Sequence, residues 1–326
     1  MGVGDILPDP SWGKFNISVD KLFKNVTEKL FEASLVIGNL ESPLTGKKQP
    51  AAAGPHREDN KAAAGLRDAG FSVLTIANNH VMDLKAEGLL ETIAGLKQAG
   101  LKYSGAGANI ADASLPAEAE ANGLKVLVIS ASDIVPAGSE AAADKPGVRS
   151  MKDAAQLVEQ VKKTRAANPR ALIVMSLHWG VEAAYTPTGR QKDTAHKLID
   201  AGADLIVGHH PHRLQGVELY KGKPIFYSIG NFQFDCKSPG NESIIAKVVY
   251  RDGKFEPAAI SLLPVFIDSG GIPEILGADA PMRGAIIKKM DGMNKAFGTM
   301  MKGEELLPRP DSEADEVPED FTPIGE

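Results

Sequence analysis

The chain has 326 residues, of which 43% are hydrophobic and 24% charged, a composition typical of a soluble globular protein. Its formal net charge of −6 excludes nucleic acid as a partner held by a basic surface, and a single cysteine, Cys236, excludes an intrachain disulfide. No apolar run reaches the roughly 18 residues that predict a membrane span, and the opening MGVGDILPDP lacks the basic and apolar regions of a signal peptide.

Helix-like and strand-like segments alternate along the chain up to Asn231. An Ala-Gly pair ends several helix-like segments, as in LRDAGFSVLTIANNH and LIDAGADLIVGHH, where glycine suits the left-handed residue after a helix. This alternation predicts the α/β class. In chain order, apolar periodicity predicts a helix over 19–31, a strand at 35–38, a helix at 61–69, a strand at 71–77, a helix at 86–99, a strand at 124–130, a helix at 151–166, a strand at 171–177, a helix at 190–201, and strands at 203–207 and 224–229.

The carboxyl-terminal part of the sequence has a different pattern. SIIAKVVY and AAISLLPVFI alternate as antiparallel strands do, and a methionine-rich, helix-like segment spans 280–301. Residues 304–326 are acidic and proline-rich, so we expect a folded domain over 1–303 followed by a tail that is loosely docked or disordered. Residues 46–64 are expected to form a long loop before a helix.

Side chains that can bind metal follow most of the predicted strands, namely Asp5, Glu41, Asn79, His80, His178, His209, His210 and His212. In open α/β sheets the carboxyl ends of the strands line the ligand crevice, so we expect these distant residues to converge. Carboxylates, an amide and imidazoles form the mixed ligand set that divalent zinc, manganese or iron accepts. The sequence therefore predicts a site for one or two divalent metal ions.

Each of these residues, taken singly, has another explanation. HHPH is equally compatible with a polar loop, and Asn-Asn-His with a turn. Glu41 could cap the segment that follows it, and Asp5 could be a solvated loop acid. His178 beside Trp179 is, alone, better explained as a hydrogen-bonded core histidine. The joint pattern at equivalent strand ends favours the metal site.

Long motifs resemble one known family, in order and over about residues 1–300. They are GDIL, GNLESPLTG, AGFSVLTIANNHVMDLKAEGLLETI, GAGANIADA, SLHWGVE, DAGADLIVGHHPHRLQGVELYKGKPIFYSIGNF and AFGT. The chain is identified by them as a member of the CapA family of bacterial capsule and poly-γ-glutamate synthesis proteins, which is similar in fold to the calcineurin-like metallophosphoesterases. The resemblance implies a four-layer α/β/β/α sandwich of the metallophosphatase type, with two metals at the strand ends.

The resemblance to those phosphoesterases also implies roles for individual metal ligands. Glu41 is similar to the bridging carboxylate, and Asp5 with His212 to the ligands of the first metal. The residues similar to ligands of the second metal are Asn79, His178 and His210. Where the phosphoesterases have Asp-x-His, this chain has Asp5-Ile6-Leu7, so the first metal loses an imidazole and the number of bound ions stays open.

The resemblance implies a catalytic role as well, whereas substrate-binding residues are assigned from their places along the sequence. His80 is similar to the histidine that protonates the leaving group or contacts the transition state, with Asp83 orienting it. We assign Arg57, His209 and Asn231 to substrate binding. Arg57 is equally compatible with a solvated arginine, and Asn231 with a turn or with support of another site residue.

Together these observations predict a metal-dependent hydrolase linked to capsule or poly-γ-glutamate metabolism. Fold analogy implies a phosphoester substrate and the capsule connection a γ-glutamyl amide, in either case attacked by a metal-activated water. The alternative is a non-catalytic binding or assembly component of a poly-γ-glutamate synthesis or export complex. If a leader has been removed, we expect the natural protein outside the cytoplasm or at the cell envelope, and otherwise in the cytoplasm.

Overall fold

The computed structural model describes residues 1–7, 19–44, 60–234, 240–251, 253–255 and 259–309. Arg57, Cys236, most of the predicted loop at 46–64 and residues 310–326 lie outside the described residues. Within the described ranges, no helix combines the length and apolar character needed to cross a bilayer.

The described elements alternate between helix and strand over the first two thirds of the chain. The helices are α1 (Val19–Leu22), α2 (Thr27–Phe31), α3 (Asn60–Asp68), α4 (Lys85–Gln98), α5 (Ile110–Ala113), α6 (Ala154–Ala167), α7 (Gly189–Asp200) and α8 (Pro281–Asn294). The strands are β1 (Gly2–Ile6), β2 (Ile37–Leu40), β3 (Val73–Thr75), β4 (Lys102–Ser104), β5 (Ala106–Gly107), β6 (Ala117–Ala121), β7 (Leu124–Ser132), β8 (Gly147–Val148), β9 (Leu172–His178), β10 (Leu205–His209), β11 (Val217–Tyr220), β12 (Lys223–Phe226), β13 (Asn231–Gln233), β14 (Glu242–Lys247), β15 (Tyr250–Arg251), β16 (Lys254–Phe255), β17 (Ser261–Ile267), β18 (Pro273–Ile275), β19 (Thr299–Lys302) and β20 (Glu305–Pro308).

Two large sheets contain most of the described strands. The first has the order β19-β20-β17-β14-β1-β2-β3-β4, with β13 beside β1 and β18 beside β17. Its β1 to β4 half is parallel, and β14 and β17 form the expected antiparallel addition. The second sheet has the order β11-β12-β10-β9-β7-β6, in which β12, β10, β9 and β7 are parallel.

Three apolar clusters define the layers of the fold. Leu74 of β3 faces α3, where Leu66 lies, whereas the preceding Val73 faces the second sheet and Val128. Successive strand residues thus point to opposite faces, and both faces of the sheet are buried. The third cluster packs α6 and α7, including Leu198, against the outer face of the second sheet. The predicted four-layer α/β/β/α sandwich is therefore confirmed.

The structure corrects the predicted helix over 280–301. Helix α8 ends at Asn294, a short 3₁₀ turn follows over Lys295–Phe297, and Gly298 takes a left-handed conformation with φ of 63°. The chain then enters β19, which pairs with β20 as an antiparallel hairpin. The predicted domain boundary at residue 303 therefore lies inside this hairpin. The strand after that boundary, β20, contributes apolar residues to the core.

We predict that a chain ending at Gly303 is much less stable than one ending at Arg309. The shorter chain loses Leu306, which is fully buried, the backbone bond from Leu262 to Glu304, and the Arg283–Glu304 salt bridge. Loss of one such leucine alone costs about 3 kcal/mol. Urea unfolding of the two truncated chains measures the difference, and equal midpoints would contradict the inclusion of β20 in the fold.

Candidate functional site

The candidate site lies where parallel strands of both sheets end. β1 carries Asp5, and Glu41 directly follows β2 in the same sheet. His178 is the last residue of β9 and His209 the last of β10, and these two residues are paired in register across the second sheet. The carboxylates therefore come from one sheet and the imidazoles from the other.

Two groups of side chains have the composition and spacing of a metal site. In each group the candidate ligand atoms lie within 4.8 Å of one another. Glu41 belongs to both groups, so the two overlap at one carboxylate. The first group is Asp5, Glu41 and His212, and the second is Glu41, His178 and His210.

Asp5 is fully buried, and polar groups surround both of its carboxylate oxygens. Asn39 donates a hydrogen bond of 2.9 Å to Oδ1, and Nδ1 of His209 lies 3.0 Å from the same oxygen. The backbone N–H of His210 donates to Oδ2 at 3.3 Å, and Nδ1 of His212 lies 3.3 Å from that oxygen. This carboxylate is thus held in one orientation from several directions.

Glu41 has the opposite surroundings. It is also fully buried, yet neither carboxylate oxygen has a hydrogen-bond partner. Nε2 of His178 lies 3.4 Å and Nε2 of His212 lies 3.7 Å from Oε1. Nδ1 of His210 is buried and lacks a hydrogen-bond partner as well. Buried polar atoms without partners are rare in native proteins.

The two carboxyl groups have opposite pKa shifts. Burial disfavours the charged form of Asp5, but the hydrogen bonds and charges of His209 and His212 outweigh it and hold the pKa of Asp5 well below its usual range. Burial, reinforced by the charge of Asp5, raises the pKa of Glu41 well above its usual range. In the metal-free protein, one buried carboxylate is therefore charged and its neighbour is driven toward the neutral form.

The pKa values of the histidines also shift in opposite directions. Burial and the charge of His210 lower the pKa of His178 well below its usual value, and burial with the charge of His212 lowers the pKa of His210 to about 4. Burial also opposes a charge on His212, but Glu41 and Asp5 together raise its pKa to about 10. His178 and His210 are therefore neutral imidazoles, the form in which histidine binds a metal.

The loop after β10 holds its histidines by unusual backbone angles. His210 has φ of 93° and His212 has φ of 53°, both in the region that residues other than glycine rarely adopt. The reversal places the backbone N–H of His210 and the ring of His212 on the same carboxylate, that of Asp5. Such angles cluster at functional sites, where the surrounding structure maintains them.

The loop after β3 contributes Asn79 and His80. Oδ1 of Asn79 lies 2.7 Å from Nε2 of His178, at the edge of the second group. Nδ1 of His80 lies 2.9 Å from Oδ2 of Asp83, and the His80 side chain is 38% exposed. The predicted pair of His80 and Asp83 is thus in contact, on the solvent side of the site.

Residues assigned to the substrate from sequence have different positions. His209 and Asn231 are both 1% exposed. His209 lies against Asp5, and Oδ1 of Asn231 lies 2.7 Å from Nδ1 of His212. Both therefore contact the candidate metal ligands from the protein interior. Arg57 lies outside the described residues.

Two supporting residues, Asn39 and Asn78, were missed by the sequence reasoning. Besides its bond to Asp5, the Asn39 amide lies 3.4 Å from Nδ1 of His178. Asn78 donates to Oδ1 of Asn39 and to the Leu40 carbonyl, and it accepts the backbone N–H of His80. The sequence did contain an indication of Asn39. It lies two residues before Glu41, and residues two apart on an extended chain share a face.

Two solved structures from Thermus thermophilus resemble this chain at low sequence identity. A sulfate thiohydrolase SoxB of Thermus thermophilus, in complex with glycerol, has a TM-score of 0.42 and 14% identity over 79% of this chain and 43% of that one. The protein TT1561, also of Thermus thermophilus, has a TM-score of 0.41 and 10% identity over 74% of this chain and 92% of that one. Values this low carry no argument about function.

Sequence relatives are much closer. The capsule biosynthesis protein CapA of Bacillus anthracis is 36% identical over 269 residues, 79% of this chain and 64% of that protein. The PGA biosynthesis protein CapA of Bacillus subtilis is 37% identical over 221 residues, 66% of this chain and 57% of that protein. The chain thus spans less than two thirds of the length of these relatives. The family model described as bacterial capsule synthesis protein PGA_cap matches residues 1–236. Together with the sequence identity to the two CapA proteins, this match shows that the chain belongs to that family.

Proposed function

We propose that the chain is a metal-dependent hydrolase of capsule or poly-γ-glutamate metabolism. One observation carries the proposal: two buried ligand groups share Glu41, whose carboxylate oxygens have no hydrogen-bond partner. A buried carboxylate without a partner is costly, so a site of this kind is best explained by a cation that the chain itself does not supply.

The side chains fit a borderline divalent metal such as zinc, manganese or iron. One group offers two carboxylates and an imidazole, and the other offers a carboxylate and two imidazoles, with the Asn79 amide beside it. We propose that these residues hold one or two such ions. A bound divalent metal would supply Lewis acidity, which polarises a substrate oxygen and acidifies a water molecule.

His80 is proposed as the proton donor to the leaving group. Nδ1 of the ring contacts Asp83, and we assign the proton transfer to the other ring nitrogen, Nε2. The partial exposure of the ring lets a substrate reach it, whereas the candidate ligands are more deeply buried. Asp83 would then fix the orientation of the ring without touching the substrate.

The proposed substrates are phosphoesters or γ-glutamyl amides, and Arg57 is proposed to contact their anionic groups. Relatives named for capsule and PGA biosynthesis support the second class. A capsule-synthesis complex is the proposed partner. A non-catalytic role within such a complex is the alternative that the experiments below distinguish.

His209 and Asn231 are proposed to position metal ligands. His209 supplies Nδ1 to Asp5, and Asn231 accepts the Nδ1 proton of His212 while its own amide donates to the Gly240 carbonyl. Because both residues are buried behind the ligands, their effect on a substrate would be indirect. Supports of this kind typically affect metal affinity by ten- to a hundredfold.

The first prediction concerns metal content. After reconstitution with manganese, zinc or iron, elemental analysis should give two equivalents in the parent and none in Glu41→Gln, because both groups use this carboxylate. His210→Ala should keep one equivalent. His196→Ala, a histidine change on helix α7 with partial exposure, should keep two. A parent that binds no metal would overturn the proposal.

The second prediction concerns His80. His80→Ala should lower hydrolysis by about 10²- to 10⁴-fold, the usual contribution of a general acid, with metal content unchanged. Asp83→Asn should lower it less, because the ring stays in place. Activity is measured on phosphomonoesters, phosphodiesters and γ-glutamyl amides. If the parent is inactive on all of them although it binds metal, the non-catalytic alternative is favoured.

The third prediction tests which ring nitrogen of His209 contacts Asp5. Asparagine places its amide nitrogen near the position of Nδ1, whereas glutamine places it near Nε2. His209→Asn should therefore keep the contact with Asp5, and His209→Gln should lose it, at a cost of about 1 to 3 kcal/mol for the loss of a polar contact with a buried charge. Chemical unfolding of the metal-free variants measures this cost, and equal stability of the two variants would contradict the assigned role.

A further inference from the structure

A second opening lies at the opposite end of the same strands. A cavity of about 980 Å³ is lined by the first residues of strands whose last residues form the candidate metal site. Leu205 begins β10 at the cavity, and His209 ends the same strand at the site. Four steps of about 3.3 Å separate them, so roughly 13 Å of strand lies between the two sites.

The lining of this cavity is partly polar and partly apolar, and much of its apolar part comes from the facing strands of the two sheets. Neighbouring strands β7, β9 and β10 each contribute two residues spaced by two, which therefore share a face: Leu124 and Val126, Leu172 and Val174, and Leu205 and Val207. Protein interiors are normally close-packed, with few voids larger than a water molecule. An opening of this volume is at the upper end of the range for pockets that bind organic ligands.

The cavity is also positively charged. Its lining has five basic side chains and two acidic ones, although the whole chain has a formal net charge of −6. Asp204 neutralises part of the charge, because it pairs with both Arg165 and Lys223. Of the other three, Arg251 has a partner of its own. Arg170 and Lys247 form no salt bridge with a described residue, so we assign them to the ligand.

From this combination we infer that the cavity binds a single-chain amphiphile with an anionic head group, such as a fatty acid. The apolar part of the lining would bury the hydrocarbon chain, while Arg170 and Lys247 hold the carboxylate. The leucine and valine part of the lining offers no hydrogen bonds to the polar body of a sugar or a nucleotide, and it suits a hydrocarbon chain. The inference goes beyond the proposed hydrolase and uses none of its residues.

The affinity should depend on the length of the hydrocarbon chain. We expect the full chain, without added metal, to bind octanoate, decanoate, dodecanoate and tetradecanoate with affinities that rise roughly fourfold per methylene until the cavity is filled. Isothermal titration below the micellar concentration measures this series. Absence of saturable binding, or affinities independent of chain length, would overturn the inference.

Charge reversal tests the head-group contact. Arg170→Glu with Lys247→Glu should weaken dodecanoate binding by tenfold or more and leave dodecanol binding unchanged. The matched control is Lys102→Glu with Lys302→Glu, which changes the net charge equally at exposed positions away from the cavity and should leave both ligands unaffected. If the control weakens dodecanoate binding as much as the cavity variant, the ligand responds to net charge alone and the inference fails.

Filling the cavity tests the location of the chain. Leu124→Trp should reduce binding of both dodecanoate and dodecanol, and Ala121→Trp, at the half-buried end of β6, provides the same test if the first variant does not fold. Unchanged binding in a folded variant would place the ligand elsewhere and overturn the inference. Since no metal or hydrolysis enters these measurements, their failure would leave the proposed hydrolase untouched.

Discussion

Two carboxyl groups buried on neighbouring strands govern the architecture of this site. Asp5 and Glu41 are both excluded from solvent, and ionised groups in such positions require compensating charge. The chain compensates Asp5 itself, with Asn39, two imidazoles and a backbone N–H. It leaves Glu41 without hydrogen bonds. The contrast between the two carboxyl groups supports the proposal that Glu41 is the one that binds an external cation.

The site exists only when the two sheets are packed together. β1 and β2 supply the carboxylates, whereas the imidazoles lie at the ends of β9 and β10. Below them, the hydroxyl groups of Thr75 and Ser176 meet at 2.9 Å across the interface. Asn39 likewise reaches across to His178. Polar contacts between the sheets therefore fix the relative position of the ligands, so that a shift of either sheet would disrupt the site before it disrupts the apolar core.

Sequence patterns identified the strand ends because parallel strands place their carboxyl ends at one edge, whatever the distance along the chain. They did not show whether a polar residue next to a candidate ligand contacts it from the open cleft or from the protein interior. His209 and Asn231 look like accessible polar residues in sequence, and only the packing of two sheets buries them. β20 was hidden for a different reason: Leu306 lies within a segment whose acidic and proline-rich composition is typical of a tail.

The position of His209 is relevant to Leu7, which stands where the phosphoesterases have a histidine. In sequence, the imidazole expected two residues after Asp5 is replaced by leucine, whose side chain is buried. In space, an imidazole nevertheless lies beside Asp5, because β10 of the other sheet ends with His209 at 3.0 Å from its carboxylate. The strand lacks this imidazole, but a histidine about two hundred positions away lies against the remaining carboxylate and is proposed to hold it in place. A loss read from a linear motif does not by itself imply an impaired site when a second sheet faces the same edge.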